Sequence, residues 1–149
     1  VAETIENNVR RLIIDETPVN PKYYEKMSQV LDALIEERRQ EAIDYKNYLQ
    51  RVVALTRQVA RHEQKSTYPK TVNTTALQAL YDNLGGDTTL VHELDDKIRS
   101  VKKADWRGNN FKEREVKRAI ASVLEKMVID SELPDTDTVL ELVKNQNEY

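Results

Sequence analysis

The stretch from Pro21 to about Gln64 has no glycine or proline after its first residue, and this constrains the fold more than any other feature. These two residues most often end helices, so a charged stretch without them favours a helix. Apolar residues recur along it at helical spacing: Tyr24, Met27, Leu31, Leu34, Ala42, Tyr45, Leu49, Val52 and Val59. The stretch therefore predicts one very long helix, about residues 21–64. At the polar run, residues 36–41, we expect the helix to cross a solvent-exposed stretch or, alternatively, to kink.

Apolar residues at helical spacing also mark shorter helices on either side of this stretch. One precedes Pro18, and others are predicted over about residues 76–84, 87–101, 110–127 and 135–143. Glycine and proline are scarce, at 3 and 4 residues, and 33% of the residues are charged, which favours long helices with solvated faces. No segment longer than four residues alternates as a half-buried strand would. The sequence predicts an all-α fold, an irregular helical bundle of five or six helices including the very long one.

The length of 149 residues is that of one ordinary domain. Within a single helical domain spanning 1–149 we expect a connector helix at 1–19, the long helix at 20–65, a linker at 66–75 and a compact helical part at 76–149. Asn20, followed by Pro21, is a typical helix cap. The chain begins at Val1 rather than Met, which suggests a piece of a longer protein. We expect a cytoplasmic protein, because neither a secretory signal nor a run long enough to span a membrane is recognisable.

Residues for catalysis, cofactors or metals are not recognisable. Cysteine is absent, which excludes disulfides and thiolate metal sites. Gly85 and Gly86 are adjacent but lack the lysine of a phosphate-binding loop, and they fit the closure of a helix better. The two histidines, His62 and His92, are far apart, and the acids that follow His92 fan around different faces of one helix. We therefore predict no catalytic, cofactor-binding or metal-ligating residue in this chain.

Positive charge is concentrated between Lys97 and Arg118. This window holds nine basic and three acidic residues, a net charge of +6, whereas the whole chain carries −3. One basic region on an acidic body can form a local site for an anion such as a nucleic-acid phosphate. The candidate DNA-binding residues are Lys102, Lys103, Arg107, Lys112, Arg114, Lys117 and Arg118. The alternative is that these side chains form a solvated helix face that keeps the protein soluble, and both interpretations stay open.

Three residues are candidates for binding a protein partner. Trp106, the only tryptophan, lies in a polar turn. It either packs over the helices that the turn joins or serves as an anchor for a partner, a role in which Trp and Arg are enriched. Arg38 and Arg39 lie in the polar run of the long helix. They bind a partner or, alternatively, form ion pairs with neighbouring acids that stabilise the fold.

Two tracts of the sequence resemble a known family. They are Tyr68-Pro69-Lys70 leading to Leu80-Tyr81-Asp82-Asn83-Leu84-Gly85, and Trp106-Arg107-Gly108-Asn109 followed by Lys112, Glu113 and Val116. The earlier pattern of Leu31, Leu34-Ile35, Arg38-Arg39, Tyr45 and Tyr48-Leu49 fits the same family. From about Asn20 onward the chain resembles the C-terminal helical region of the motor (restriction) subunit of type I restriction-modification enzymes, of a type IC-like kind.

The resemblance implies a large parent subunit that contains a nuclease domain and two helicase-like ATPase domains. In this family the subunit joins modification and specificity subunits, translocates DNA at the expense of ATP and cleaves it. ATP and magnesium would act in the parent, an ATP-dependent type I site-specific deoxyribonuclease, and not in this fragment. The resemblance therefore implies a non-catalytic assembly and DNA-handling domain. It would dock the motor onto the modification and specificity subunits, contact other domains of its own subunit and contact double-stranded DNA non-specifically. The alternative is a protein–protein scaffold without DNA contact.

Overall fold

The computed structural model describes residues 1–60, 68–127 and 133–149. Where the sequence predicts one domain, the contacts divide the chain into two compact units, Val1–Thr67 and Tyr68–Tyr149. The described residues contain seven α-helices, one 3₁₀ turn and no strand. The predicted all-α class is confirmed, but the predicted number of five or six helices is too low. Within the same residues, no helix is both long enough and apolar enough to cross a membrane.

The first unit contains three α-helices within residues 1–60, the part of it that the structure describes. They are α1 (Ala2–Glu16), α2 (Pro21–Arg39) and α3 (Tyr45–Ala60), with a 3₁₀ turn at Thr17–Val19. As predicted, Asn20 caps α2: its side-chain oxygen accepts a hydrogen bond from the Tyr23 main-chain N–H at 3.2 Å. The apolar stripes of the helices meet in one core, which comprises Val9, Ile13, Tyr24, Leu31, Leu34, Ile35, Tyr48, Val52, Leu55 and Val59.

The prediction of one helix over about 21–64 is wrong. Helix α2 ends at Arg39 and α3 begins at Tyr45, and Glu41 between them has a φ of 56°. Neither the predicted crossing nor a kink describes this point, because the chain leaves helical geometry altogether. The reason lies in the polar run 36–41, which offers no apolar side chain to continue the stripe. Ending the helix there lets the apolar faces of α2 and α3 pack against each other. The last predicted residues, 61–64, lie outside the described ones.

The second unit contains four α-helices within its described ranges, 68–127 and 133–149. They are α4 (Thr75–Asn83), α5 (Thr88–Val101), α6 (Asn110–Met127) and α7 (Thr136–Lys144). Thr74, Asp87 and Asp135 cap α4, α5 and α7, each through a side-chain oxygen that accepts a main-chain N–H. Gly85, with a φ of 80°, closes α4 in the left-handed conformation that glycine tolerates. The bounds of these four helices therefore agree with the predicted ranges to within one residue. Of the predicted linker at 66–75, the structure describes only the residues from 68 onward.

Helix α6 contributes its inward stripe to the core of this second unit. Val116 and Ile120 are fully buried in the same apolar cluster as Leu94 and Ile98 of α5 and Val143 of α7. The helical repeat then turns residues two positions away from Val116 and Ile120 toward solvent. This orientation decides which of the predicted DNA-binding residues on α6 are accessible.

Candidate nucleic-acid interface

The turn between α5 and α6 is fastened to the end of α7 and to the residues that follow it. The indole of Trp106 is only 2% exposed, and its Nε1 donates a 3.0 Å hydrogen bond to the main-chain oxygen of Tyr149. Arg107 Nε donates to the Lys144 carbonyl at 2.9 Å, and Arg107 Nη2 donates to the Gln146 carbonyl. The turn is thus a fixed corner of the second unit.

Trp106 therefore lies in the core. Of the two interpretations of this residue, packing is the one the structure shows, and the predicted partner anchor is not accessible. The guanidinium of Arg107 lies 5.1 Å from the centre of the indole ring. Arg107 thereby covers the ring as well as binding two carbonyls.

Two lysines near this turn hold main-chain oxygens. Lys102 Nζ donates to Tyr149 at 3.1 Å, and Lys112 Nζ donates to the Ala104 carbonyl at 2.8 Å. Neither lysine forms an ion pair with a described acidic side chain. Each ammonium group has three N–H donors and has used one. These lysines still contribute to the local potential, although the hydrogen bonds restrict their reach.

Two other lysines of the predicted site are paired with carboxylates. Lys103 Nζ lies 3.4 Å from Glu115 Oε1, and Lys117 Nζ lies 2.7 Å from Asp137 Oδ1. These side chains are between 46% and 75% exposed, and ion pairs of that kind contribute about 0–1 kcal/mol. An incoming phosphate can compete for them at small cost. Asp137 lies on α7, outside the basic window of residues 97–118, and it neutralises part of the positive charge of that window.

Arg114 and Arg118 differ from the other five predicted residues. Both are exposed, and neither has a hydrogen bond or ion pair with any described residue. They are four residues apart, so their side chains lie on one face of α6. That face points away from the core, because Val116 and Ile120 point into it. These two guanidinium groups are the most available anion ligands of the predicted set.

A groove of about 460 Å³ runs beside these two arginines between α6 and α7. It is lined by Asn110, Glu113, Arg114, Lys117, Arg118, Ala121 and Leu140. The only acid among these, Glu113, accepts the main-chain N–H of Gly108 and pairs with Lys144 Nζ at 3.1 Å. The Gly108 N–H first, and Lys144 second, lower the pKa of the Glu113 carboxyl. Because Glu113 and Lys117 are both paired, the guanidinium groups of Arg114 and Arg118 are the unpaired charges of the groove.

Helix α6 is capped by Asn109. The side-chain oxygen of Asn109 accepts the main-chain N–H groups of Phe111 and Lys112, each at 3.1 Å. Glu113 completes the cap through its bond with Gly108. Asn109 and Glu113 together fix the first turn of α6, and with it the directions of the side chains that follow.

The two arginines predicted to bind a partner belong to the first unit and have different surroundings. Arg38 Nε donates to Glu6 Oε1 at 2.9 Å, and its guanidinium lies 5.6 Å from the centre of the Tyr48 ring. The hydrogen bond with Glu6 raises the pKa of Arg38. Arg39 is exposed at the end of α2 and contacts no described charged group. Arg38 thus has a structural role, and only Arg39 is free to meet a partner.

Sequence reasoning missed one exposed residue at this surface. Phe111 is the only phenylalanine of the chain, and 77% of it is exposed. A signal for its exposure was present in the sequence. The residues three and four positions later, Arg114 and Glu115, are both charged, so Phe111 cannot belong to an apolar stripe.

No group of three or more His, Cys, Asp or Glu side chains that could hold a metal ion occurs in residues 1–60, 68–127 and 133–149. No protein-family model, curated protein sequence or solved structure matches the chain. The functional interpretation therefore depends on the geometry of the surface of α6 and on the sequence resemblance.

Proposed function

We propose that this chain is a non-catalytic helical binding domain whose α6 contacts the phosphates of double-stranded DNA without reading its sequence. The observation that carries the proposal is the pair Arg114 and Arg118, exposed on the outward face of α6 without a partner among the described residues. Lys117 lines the same groove and is held only by an exposed ion pair. Arginine suits such a role because its planar guanidinium binds phosphate oxygens in a bidentate manner.

The remaining basic residues have a supporting part in this proposal. Lys102, Arg107 and Lys112 donate to main-chain oxygens and are not paired with a described acidic side chain, so they raise the local positive potential without acting as the main ligands. A potential of this kind attracts a polyanion and speeds its encounter with the surface. Phosphate contacts position a duplex but carry no base information, so we expect no sequence preference.

We further propose that the domain belongs to the motor subunit of a cytoplasmic type I restriction-modification enzyme. Support comes from the resemblance of the tracts Leu80–Gly85 and Trp106–Asn109 to that subunit. In such an assembly the domain would help dock the motor onto the modification and specificity subunits. ATP hydrolysis and magnesium-dependent cleavage would reside in other domains of the parent. Arg39 is the accessible member of the predicted partner-binding residues.

A pure scaffold without DNA contact is the second candidate. One observation favours it: five of the seven predicted DNA-binding residues already have partners within the second unit. On this interpretation the basic window mainly holds the turn and α7 in place. The two candidates make opposite predictions for Arg114 and Arg118, because neither side chain forms a hydrogen bond or an ion pair with a described residue.

The decisive experiment is a DNA titration of the charge-reversal variant Arg114→Glu/Arg118→Glu. Binding of a fluorescein-labelled duplex of about 20 base pairs would be followed by fluorescence anisotropy between about 50 mM and about 200 mM salt. Loss of two phosphate contacts should lower the slope of log affinity against log salt by about 2. Affinity should fall at least about tenfold at the lower salt concentration.

The matched control is Lys46→Glu/Arg57→Glu on α3. These two residues are exposed, are not paired among the described residues, and change the net charge of the chain by the same amount. A loss of affinity confined to the α6 variant supports the proposal. Equal affinity of the α6 variant and the wild type would leave only the scaffold function.

Assembly is tested separately: removal of this domain from the parent should weaken the binding of the parent to the modification and specificity subunits.

A further inference from the structure

Phe111 occupies an unusual position for an aromatic side chain. It is 77% exposed and is the only large apolar residue strongly exposed in the described part of the second unit. Its main-chain N–H donates to the capping side chain of Asn109, so the residue sits in the well-defined first turn of α6. The ring is therefore presented to solvent from a fixed position, with no apolar neighbour to shield it.

The ring shares its side of α6 with the two unpartnered arginines. Phe111 precedes Arg114 by three residues and Arg118 by seven, spacings that bring side chains to a common helix face. At a rise of 1.5 Å per residue these are distances of about 4.5 Å and about 10 Å along the helix. One exposed aromatic ring and two guanidinium groups thus form a short outward row.

We infer that this row binds unpaired nucleic acid, with Phe111 stacking on one base and Arg114 and Arg118 contacting the phosphates on the same strand. The inference rests on the proposed function, because it gives the same surface a preferred substrate. The bases of a duplex are already stacked on their neighbours, so the ring gains a base partner only from a single strand. Stacking on an aromatic side chain is a general and sequence-tolerant way to hold a single strand.

The surroundings of Phe111 favour nucleic acid over a protein partner. An aromatic anchor in a protein interface is normally enclosed by further contacts that exclude water from a pocket. No second strongly exposed large apolar side chain accompanies Phe111 among the described residues of its unit. Its face carries Arg114, Arg118 and one acid, Glu115, which is paired with Lys103. A lone ring beside cations matches the alternation of base and phosphate in a single strand.

The test compares two probes, a fluorescein-labelled oligothymidine of about 20 nucleotides and a duplex of the same length, on the intact chain. Phe111→Ala should lower the affinity for oligothymidine about 5- to 100-fold and leave the affinity for the duplex within about twofold. The salt dependence should not change, because no phosphate contact is removed. Phe111→Trp should restore binding, whereas Phe111→Leu, which is apolar but cannot stack, should not.

Three outcomes would overturn the inference. They are unchanged oligothymidine binding by Phe111→Ala, an equal loss for both probes, and full binding by Phe111→Leu. The first of these would show that Phe111 does not contact the single strand. The proposed function fails by a different result, namely unchanged duplex binding by Arg114→Glu/Arg118→Glu, so the two failures are distinguishable. Because Phe111 is exposed, its replacement should leave the circular dichroism of the protein unchanged.

Discussion

The hydroxyl group of Tyr48 on α3 donates a 2.5 Å hydrogen bond to Oε1 of Glu6 on α1, 42 residues earlier in the chain. Arg38 on α2 donates to the same carboxylate oxygen at 2.9 Å and lies over the Tyr48 ring. All three helices of the first unit are thereby joined at one buried acid, which is 6% exposed. A buried carboxylate is costly unless it is paired and hydrogen-bonded, and here both conditions are met.

The second unit contains the same combination of side chains. The hydroxyl group of Tyr149 donates to Asp95 Oδ1 at 2.5 Å, and Arg99 Nε donates to the same oxygen at 3.1 Å. The Arg99 guanidinium lies 5.1 Å from the centre of the Tyr149 ring. Burial and the bond to Asp95 raise the pKa of the Tyr149 hydroxyl. This cluster fastens the residues after α7 to α5, and so supports the turn that precedes the proposed DNA-binding face.

Replacement of Tyr48 by Phe is expected to destabilise the protein. The change leaves the buried Glu6 carboxylate with one donor fewer, and an unsatisfied buried polar group costs about 1–3 kcal/mol. The free energy of unfolding in urea, followed by circular dichroism, should fall by that amount. The matched control is Tyr45→Phe on the same helix, since Tyr45 is 50% exposed and should have almost no effect. Equal stability of the two variants would contradict the structural role of the Glu6 cluster.

The same tyrosine should make stability depend on alkaline pH. Burial first, and then the hydrogen bond with Glu6, raise the pKa of Tyr48 to about 12 from its ordinary value of 10.0. A group whose folded pKa is raised contributes its stability fully below the unfolded pKa and loses it as pH rises through the folded pKa. The stability difference between wild type and Tyr48→Phe should thus be constant below pH 10 and shrink between pH 10 and about 12. A constant stability difference across that pH range would contradict the raised pKa of Tyr48.

Much of the fold follows from local signals in the sequence. Asn20 caps α2 as expected, and Asp87 and Asp135 cap α5 and α7 in the same way, because a short polar side chain just before an apolar stripe can accept the free main-chain N–H groups of the first turn. The outward direction of Arg114 and Arg118 follows from the stripe of α6 in the same way. These features need only neighbours within one helical turn, which is why a single sequence is sufficient to predict them.

Contacts between distant segments were not predictable. The cluster of Glu6, Arg38 and Tyr48 exists only because the chain reverses between α2 and α3, and Glu41 at the reversal carries no signal for a positive φ. Likewise, the carbonyl partners of Arg107 depend on how α7 packs against α6. The sequence therefore shows that residues 97–118 are rich in basic side chains. It does not show which of these side chains are held by other groups of the protein and which are available to a ligand.

The pair formed by Glu113 and Lys144 should make the stability depend on acid pH. The Gly108 N–H and Lys144 lower the pKa of Glu113 below its ordinary value of 4.5. A lowered carboxyl pKa means that the contribution is fully present above pH 4.5 and is lost as pH falls through the lower, folded value. Glu113→Gln should lower the melting temperature by about 2–4 °C at neutral pH, and the difference from wild type should close in acid.

The control for this experiment is Glu125→Gln on the same helix. Glu125 is exposed and has no partner among the described residues, so its melting curve should follow that of the wild type from neutral to acid pH. A difference between Glu113→Gln and wild type that persists undiminished at about pH 3 would show that the loss is not caused by the charge of Glu113.

Glu41 gives the sharpest test of the chain reversal that separates α2 from α3. Its φ of 56° is left-handed, a conformation that costs an L-residue about 1–2 kcal/mol and glycine almost nothing. Glycine also loses more entropy on folding, about 0.5–1 kcal/mol, so Glu41→Gly should raise the free energy of unfolding by about 0.5 kcal/mol. The control Glu25→Gly, at an exposed position inside α2, should lower it by about 1 kcal/mol. A continuous helix through residue 41 would make both glycine variants equally destabilising, and urea unfolding of the two proteins distinguishes the cases.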